Sequence, residues 1–258
     1  MDEARRLHAG LCEVTARLAG VLEDARFERR DGYSFMLFPS FPLPSFNGIW
    51  AEENVVPEDL EATLGEVEAM GLPVGVQVRA GKMPAVREAV RNLGLTAEER
   101  IPGMVATKED LREPRDTDVE ILRVATADGL AQALAVAAAG FEVPADLLSA
   151  LYLLDVAALD GLEYYLARLG NTDVSTAVGY TIVRTVGIFN VATPPEFRGR
   201  GYGAAITAHV ASEALAHGAD LAWLQSSSMG ESVYLRLGFR EVETYILLTR
   251  PREVSGTS

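Results

Sequence analysis

Leu7, Leu11, Val14, Leu18, Val21 and Leu22 fall at helical spacing on one apolar stripe, which predicts an opening amphipathic helix. The run YSFMLF at 33–38 is aromatic and apolar throughout and reads as a strand. Pro39, Pro42 and Pro44 turn the chain into a loop, and FNGIW at 46–50 predicts a short strand. Residues 57–70 form an amphipathic helix closed by Gly71, 74–78 a strand, 85–93 a helix closed by Gly94, and 101–107 another strand. The pattern then restarts. A strand is expected at 119–124, helices at 127–140 and 144–156, and a hairpin from 162–169 and 174–184. A strand at 186–193 leads through a glycine-rich turn at 198–203 into a helix at 204–217 ended by Gly218. A strand at 221–225, a helix at 231–237 ended by Gly238 and a strand at 239–248 complete the pattern, before a polar tail expected to fray.

Residues 108–118 (KEDLREPRDTD) are polar, charged and interrupted by proline. The boundary is placed there, giving one domain over 1–113 and a second over 118–258. The two sides echo one another. FNGIW at Phe46 resembles FNVAT at Phe189, GLPVGVQV resembles GADLAWLQ, and RNLGLTAEE resembles LRLGFREVE. The intervals also agree, 49 residues from Phe46 to Leu95 and 50 from Phe189 to Phe239. A duplicated strand–helix–strand–helix–strand unit accounts for this. The first copy reads EENVVPEDLEA where the second reads PPEFRGRGYGAAI, so the glycine-rich turn belongs to the second alone.

Charge narrows the possible partners. Acids outnumber bases 37 to 23, for a net charge of −14. Residues 1–117 carry 21 acids against 14 bases and residues 118–258 carry 16 against 9, so each half is at −7. Such a chain is a poor general binder of nucleic acid, which needs clustered Lys and Arg, and has little attraction to an anionic membrane. It draws amines and other cations toward itself, and a phosphate-bearing ligand needs a local cationic or backbone-amide site. Only Lys82 and Lys108 are lysine, a bias read as codon composition. Cys12 is the single cysteine, so neither an intramolecular disulfide nor a cysteine metal cluster is expected. The start MDEARR lacks an apolar leader core, and the longest near-apolar stretch, 130–143, is too short to span a bilayer. A cytoplasmic protein is expected.

The turn RGRGYGA at 198–204 is the most informative segment. Gly199, Gly201 and Gly203 allow close backbone approach, the following helix presents unpaired N–H groups, and Arg198 and Arg200 add positive charge. The plain alternative is a solvated turn before a helix. A P-loop is excluded because no lysine follows the glycines. Gly199, Gly201 and Ala204 do satisfy G-x-G-x-x-A, but the next strand ends LAWLQSSS without the acid a dinucleotide site requires, and about 55 residues cannot complete that fold. The remaining reading is a pyrophosphate cradle for coenzyme A.

The run VGIFNVATPPEFRGRGYGAAIT resembles the acetyl-CoA signature of the GNAT N-acetyltransferase superfamily, R/Q-x-x-G-x-G/A, through Arg198, Gly201 and Gly203. ESVYLRLGFREV resembles the second motif of that family, a tyrosine four residues before Gly-Phe: Tyr234, Gly238 and Phe239. The resemblance covers about 119–250, and the first half resembles a degenerate copy. It implies an α/β fold of two units, each a twisted mixed sheet flanked by helices. It also implies acetyl-CoA as co-substrate without a metal, lying where two parallel strands splay. Backbone groups of Val191 and Thr193 would meet the pantetheine arm, and the Val191 N–H would polarise the thioester carbonyl. Arg198, Gly199, Arg200, Gly201, Tyr202, Gly203 and Ala204 would hold the pyrophosphate, and Tyr234 would protonate the leaving thiolate. A small-molecule amine would attack directly in a ternary complex, with the first unit as a non-catalytic scaffold shaping the acceptor site. A monomer or homodimer is expected.

The general base is not given by the resemblance. Glu142, in the break between two helices, is one candidate, with a solvated loop acid as the equal alternative. Asn190 and Gln225, on the two splaying strands, could orient a water or be ordinary strand polar residues. Arg236 could reach the ribose phosphate or lie on the surface. His8, His209 and His217 are scattered and read as structural, and Cys12 as a small buried hydrophobe. Tyr234 could be a core tyrosine. Asn47-Gly48 is a turn dipeptide, and the FPSFPLPSFNG loop either lines a cleft or covers its own core. Rival readings are a non-catalytic acyl-CoA sensor, an acyltransferase acting on a thiol-precursor aminosugar as mycothiol synthase does, and a nucleotide-binding regulator.

Overall fold

The computed structural model describes residues 2–52, 55 and 57–251. The elements in chain order are α1 (Glu3–Ala19), β1 (Arg26–Arg30), β2 (Tyr33–Leu37), β3 (Gly48–Ala51), α2 (Pro57–Glu68), β4 (Gly75–Arg79), α3 (Pro84–Asn92) and β5 (Ala97–Ala106). There follow β6 (Glu120–Val124), α4 (Ala127–Phe141), α5 (Asp146–Ser149), a 3-10 turn (Ala150–Tyr152), α6 (Leu154–Ala157), β7 (Leu162–Leu169), β8 (Thr172–Ile182) and β9 (Thr185–Ala192). A 3-10 turn (Pro195–Phe197), α7 (Tyr202–Ala216), β10 (Leu221–Gln225), α8 (Glu231–Arg236) and β11 (Arg240–Thr249) complete the described chain. The tail at 252–258 lies outside the described residues.

The chain divides into two compact units with discontinuous limits, Met1–Leu22 with Pro102–Val242 and Glu23–Ile101 with Glu243–Ser258. These limits differ from a cut between 113 and 118, because α1 packs with the later half of the chain. Gly10 makes that packing possible: a Cβ there would lie 2.6 Å from the Trp223 ring. Leu7, Leu11 and Leu18 of the predicted stripe are buried.

In the first unit the sheet order is β5-β10-β9-β8-β7-β6. All its neighbours are antiparallel except β9 and β10, which are parallel. One core lies under α7 and includes Ile188, Ile206, Val210 and Phe239. Another lies under α4 and the 3-10 turn and includes Leu130, Tyr152, Tyr164 and Ala192. Strands buried on both faces read as apolar runs, which is why 221–225 and 186–193 were legible.

In the second unit the order is β1-β2-β3-β4-β11, again with one parallel pair, β3 and β4, joined through α2. Its core gathers Phe35, Ile49, Leu60, Val76 and Val90. Both units are therefore mixed sheets with helices against them, each with one parallel pair, preceded along the sheet, counting from β6 and from β1, by three antiparallel pairs in the first unit and two in the second.

Three expectations are corrected. β1 was not expected, since RFERR carries no apolar alternation; it is held by its register against β2 and by Arg30, whose guanidinium lies 4.5 Å from the Phe35 ring centroid. β5 begins at Ala97 rather than 101. The helix expected over 144–156 is broken, because Leu153 is extended (φ −70°, ψ 148°) between the 3-10 turn and α6.

Candidate active site

β9 and β10 pair only from Thr185 to Gly187 and from Leu221 to Trp223, although both strands run further. Trp223 stands edge-on to Phe189 (centroids 5.3 Å, 89°), and a Cβ on Gly187 would meet both rings at 2.6–2.7 Å. The two rings therefore sit where the strands part. On its other side β9 meets β8, but Val178 faces Phe189 while Thr176 faces Ala192. One β8 residue thus opposes two on β9, and Asn190 takes up the bulge at φ +49°. Asn190 and Val191 have no register partner on either neighbouring strand among the described pairs. Asparagine is among the few non-glycine residues that enter the left-handed region readily.

After β9 the chain turns through Pro195–Phe197 and reaches Gly199 (φ +75°) and Gly201 (φ +92°). A Cβ on Gly199 would meet open space, and one on Gly203 would lie 3.3 Å from Thr193 Oγ1. Gly201 caps α7 without a side-chain bond, and the Ala205 N–H is donated to its carbonyl (2.9 Å). The N–H groups at 202–204 are left without intrahelical acceptors, as at any helix head, and no acid sits in that first turn. Tyr202 is buried in the core under α7, so only its backbone faces the turn.

The two arginines of the turn divide. Arg198 Nε donates to the Thr193 carbonyl (3.1 Å), and Nη2 donates to the Gly140 carbonyl (2.7 Å) and pairs with Glu142 Oε1 (2.8 Å). It ties α4 to the turn. Arg200 is exposed, its guanidinium 5.9 Å from the Phe197 ring centroid. Glu142 is a left-handed cap of α4 (φ +58°) and is engaged by Arg198. The Thr193 side chain pairs with Ser175 (2.9 Å). Neither Gly140 nor Ser175 was singled out from sequence. The one available signal was Gly140's position near a helix end, where a Cβ would meet the Thr193 nitrogen at 2.8 Å.

Gln225 ends β10, with Gly103 of β5 as its register partner. Tyr234 lies in α8, half-buried against the core under α7, its ring edge-on to Phe239 at 6.1 Å. Burial pushes its phenol up to about 12. A Cβ on Gly230 would lie 2.8 Å from the Tyr234 ring and 3.4 Å from Ser226 Oγ. The histidines make local contacts: His8 Nε2 to Cys12 Sγ (3.8 Å), His209 Nε2 to Glu213 (3.4 Å) and His217 Nδ1 to the Glu213 carbonyl (2.8 Å). Cys12 is buried. Among the described residues no three His, Cys, Asp or Glu side chains gather as a metal site, and no helix is long and apolar enough to cross a membrane.

A splayed parallel pair, a bulge and a glycine turn at a helix head mark this unit as an α/β domain built on a mixed sheet. Residues 160–241 match the family model described as an acetyltransferase (GNAT) domain. A GCN5-related N-acetyltransferase from Kribbella flavida is similar in fold over 93% of this chain and 95% of its own, with a TM-score of 0.69 and 21% identity. A functionally unknown conserved protein from Staphylococcus epidermidis ATCC 12228 matches 94% of this chain and 100% of its own, with a TM-score of 0.68 and 18% identity. A GCN5-related N-acetyltransferase from Sphaerobacter thermophilus covers 97% and 95%, with a TM-score of 0.56 and 18% identity. No curated protein matches the sequence.

Proposed function

We propose that the unit containing residues 102–242 is an acetyl-CoA-dependent N-acetyltransferase that moves the acetyl group directly to the amine of a small acceptor, with both substrates held at once. The observation that carries this reading is the parting of β9 from β10 beyond Gly187 and Trp223, coupled to the bulge at Asn190. Together they leave Val191 without a ladder partner on a strand bordering the splay. An N–H so placed suits the charge that develops on a carbonyl oxygen under attack.

The turn residues fit a pyrophosphate. Gly199 has open space where a side chain would stand, the first N–H groups of α7 carry the positive end of the helix dipole, and Arg200 adds a cation. These supports favour Arg200 and the backbone of 199–204 over Arg198, which braces the turn from within. Coenzyme A, when bound, supplies the acyl group as an activated thioester. Val191 would orient and polarise it, and Tyr234, protonated throughout the neutral range, would serve as general acid to the departing sulfur. The acidic surface favours an amine as acceptor. The other unit is proposed as non-catalytic, because its β3–α2 connection carries no glycine turn.

Thermal shift with acetyl-CoA, NADH and ATP on wild type and Gly201→Glu tests the co-substrate, and thiol release with amino acids, polyamines and aminosugars tests the reaction. Acetyl-CoA at 100 times its Kd should stabilise by about 2.7 kcal/mol, some ~5–10 °C for a chain of this size, and the variant should lose the shift. A shift with NADH instead, or none with acetyl-CoA, overturns the proposal.

A further inference from the structure

Tyr152 is the last residue of the 3-10 turn between α5 and α6 and is 6% exposed. Its ring lies 5.3 Å from that of Tyr164, whose hydroxyl donates to the Leu151 carbonyl and so pins the turn. It shares one core with Phe189 and Ala192, the residues on either side of the β9 bulge. The Tyr152 hydroxyl is fully buried, and no group meets it at full hydrogen-bonding geometry. Buried polar groups left so are rare and call for a reason. Burial, with Tyr164 beside it, pushes this phenol up, and the Asn190 side chain works against that push.

We infer that Tyr152 and Asn190 form a clamp across the bulge of β9 that holds the Val191 N–H toward the splay, making Tyr152 a positioning residue for acyl transfer. The inference rests on the acetyltransferase reading. The left-handed backbone at Asn190 can be reached by glycine as well as asparagine, so backbone freedom alone does not require this side chain. In this reading the carboxamide adds a tie to the 3-10 turn, and the hydroxyl gives that tie its second polar end. Tyr152 touches no reacting atom; it acts through Asn190 on the direction of the neighbouring amide.

The test uses Tyr152→Phe, Asn190→Ala and Asn190→Gly in the full chain. Two quantities are read: steady-state kinetics, and the backbone amide resonance of Val191 as acetyl-CoA is added. All three variants should bind acetyl-CoA within about threefold of wild type, lower kcat about tenfold at unchanged KM for acetyl-CoA, and lose most of the Val191 shift. Tyr152→Phe keeps the ring packing and should melt within 2–3 °C of wild type (roughly what a weakly bonded hydroxyl is worth). Wild-type kcat and a wild-type Val191 shift in Tyr152→Phe overturn the clamp, as does full activity in Asn190→Gly. If wild type binds acetyl-CoA but turns over no amine, the Val191 shift still decides: kept in Tyr152→Phe it refutes the clamp, and lost it supports it. If wild type does not bind acetyl-CoA, the parent reading falls and the clamp with it.

Discussion

Arg198 and Glu142 form an ion pair at 2.8 Å, and the same guanidinium donates to the Gly140 carbonyl at 2.7 Å. The pair joins the C-terminal cap of α4 to the turn that precedes α7. It assigns Arg198 to bracing the turn and leaves Glu142 engaged by a cation. Glu142→Gln is therefore expected to keep kcat within about threefold of wild type. A general base removed would cost roughly 10²-fold or more, and a loss of that size in steady-state assays would restore Glu142 as the base. Arg198→Ala should cost about 1–2 kcal/mol in urea unfolding, since the lost partners are backbone carbonyls and a mostly exposed acid.

Arg200 points the other way. Arg200→Glu should raise the Kd for acetyl-CoA by about tenfold and flatten its dependence on salt, while leaving the melting temperature of the free protein unchanged. Calorimetric titration at low and high salt measures both. An unchanged Kd would remove Arg200 from the pyrophosphate site.

Tyr234→Phe should keep acetyl-CoA affinity and lower kcat by roughly 10²-fold. The phenol sits at about 12 against an ordinary 10.0, because burial disfavours the phenolate. Tyr234 therefore stays an acid through the working range, and its own ionisation should bend no kcat profile below about pH 11. The sign for stability follows from the raised value. The folded state holds this proton more tightly than the unfolded chain, so the contribution is full below pH 10 and is lost as pH rises toward 12. Unfolding of wild type and Tyr234→Phe between pH 9 and 12 checks this: the gap between them should narrow across that window.

Gly187→Ala tests the point where the strands part. The added Cβ would lie 2.6 Å from Trp223 and 2.7 Å from Phe189, both ring atoms of well-packed side chains. A loss of about 1–3 kcal/mol is expected from such overpacking, together with weaker acetyl-CoA binding because the splay must shift. Stability lost with affinity intact would show that the parting of the strands does not depend on these rings.

Much of this arrangement was legible in sequence, for identifiable reasons. The stripe from Leu7 to Leu18 (the helix stops at Ala19, short of Val21 and Leu22), the glycines closing helices at 71, 94, 218 and 238, and the turn at 198–203 are local signals, written in residues that stand close together. β1 was not legible, because RFERR is held by its partner strand and by Arg30 lying over Phe35 rather than by its own pattern. The break at Leu153 was hidden in an otherwise helical run, because the extended residue is a leucine like its neighbours. Arg198 and Arg200 look alike in RGRG, yet one turns inward to two carbonyls and the other lies exposed.

The sequence by itself determined most of the succession of elements, the position of the glycine turn at the head of α7 and the presence of Tyr234 before Gly238, because turn geometry and helix closure depend on a few adjacent residues. Tertiary structure alone decided that α1 packs beside Trp223, that β9 parts from β10 after Gly187, that Asn190 carries the bulge, and that Tyr152 shares a core with Phe189 and Ala192. These depend on strand register and on side chains far apart in the chain meeting in one core, and neither is encoded in any single stretch of residues.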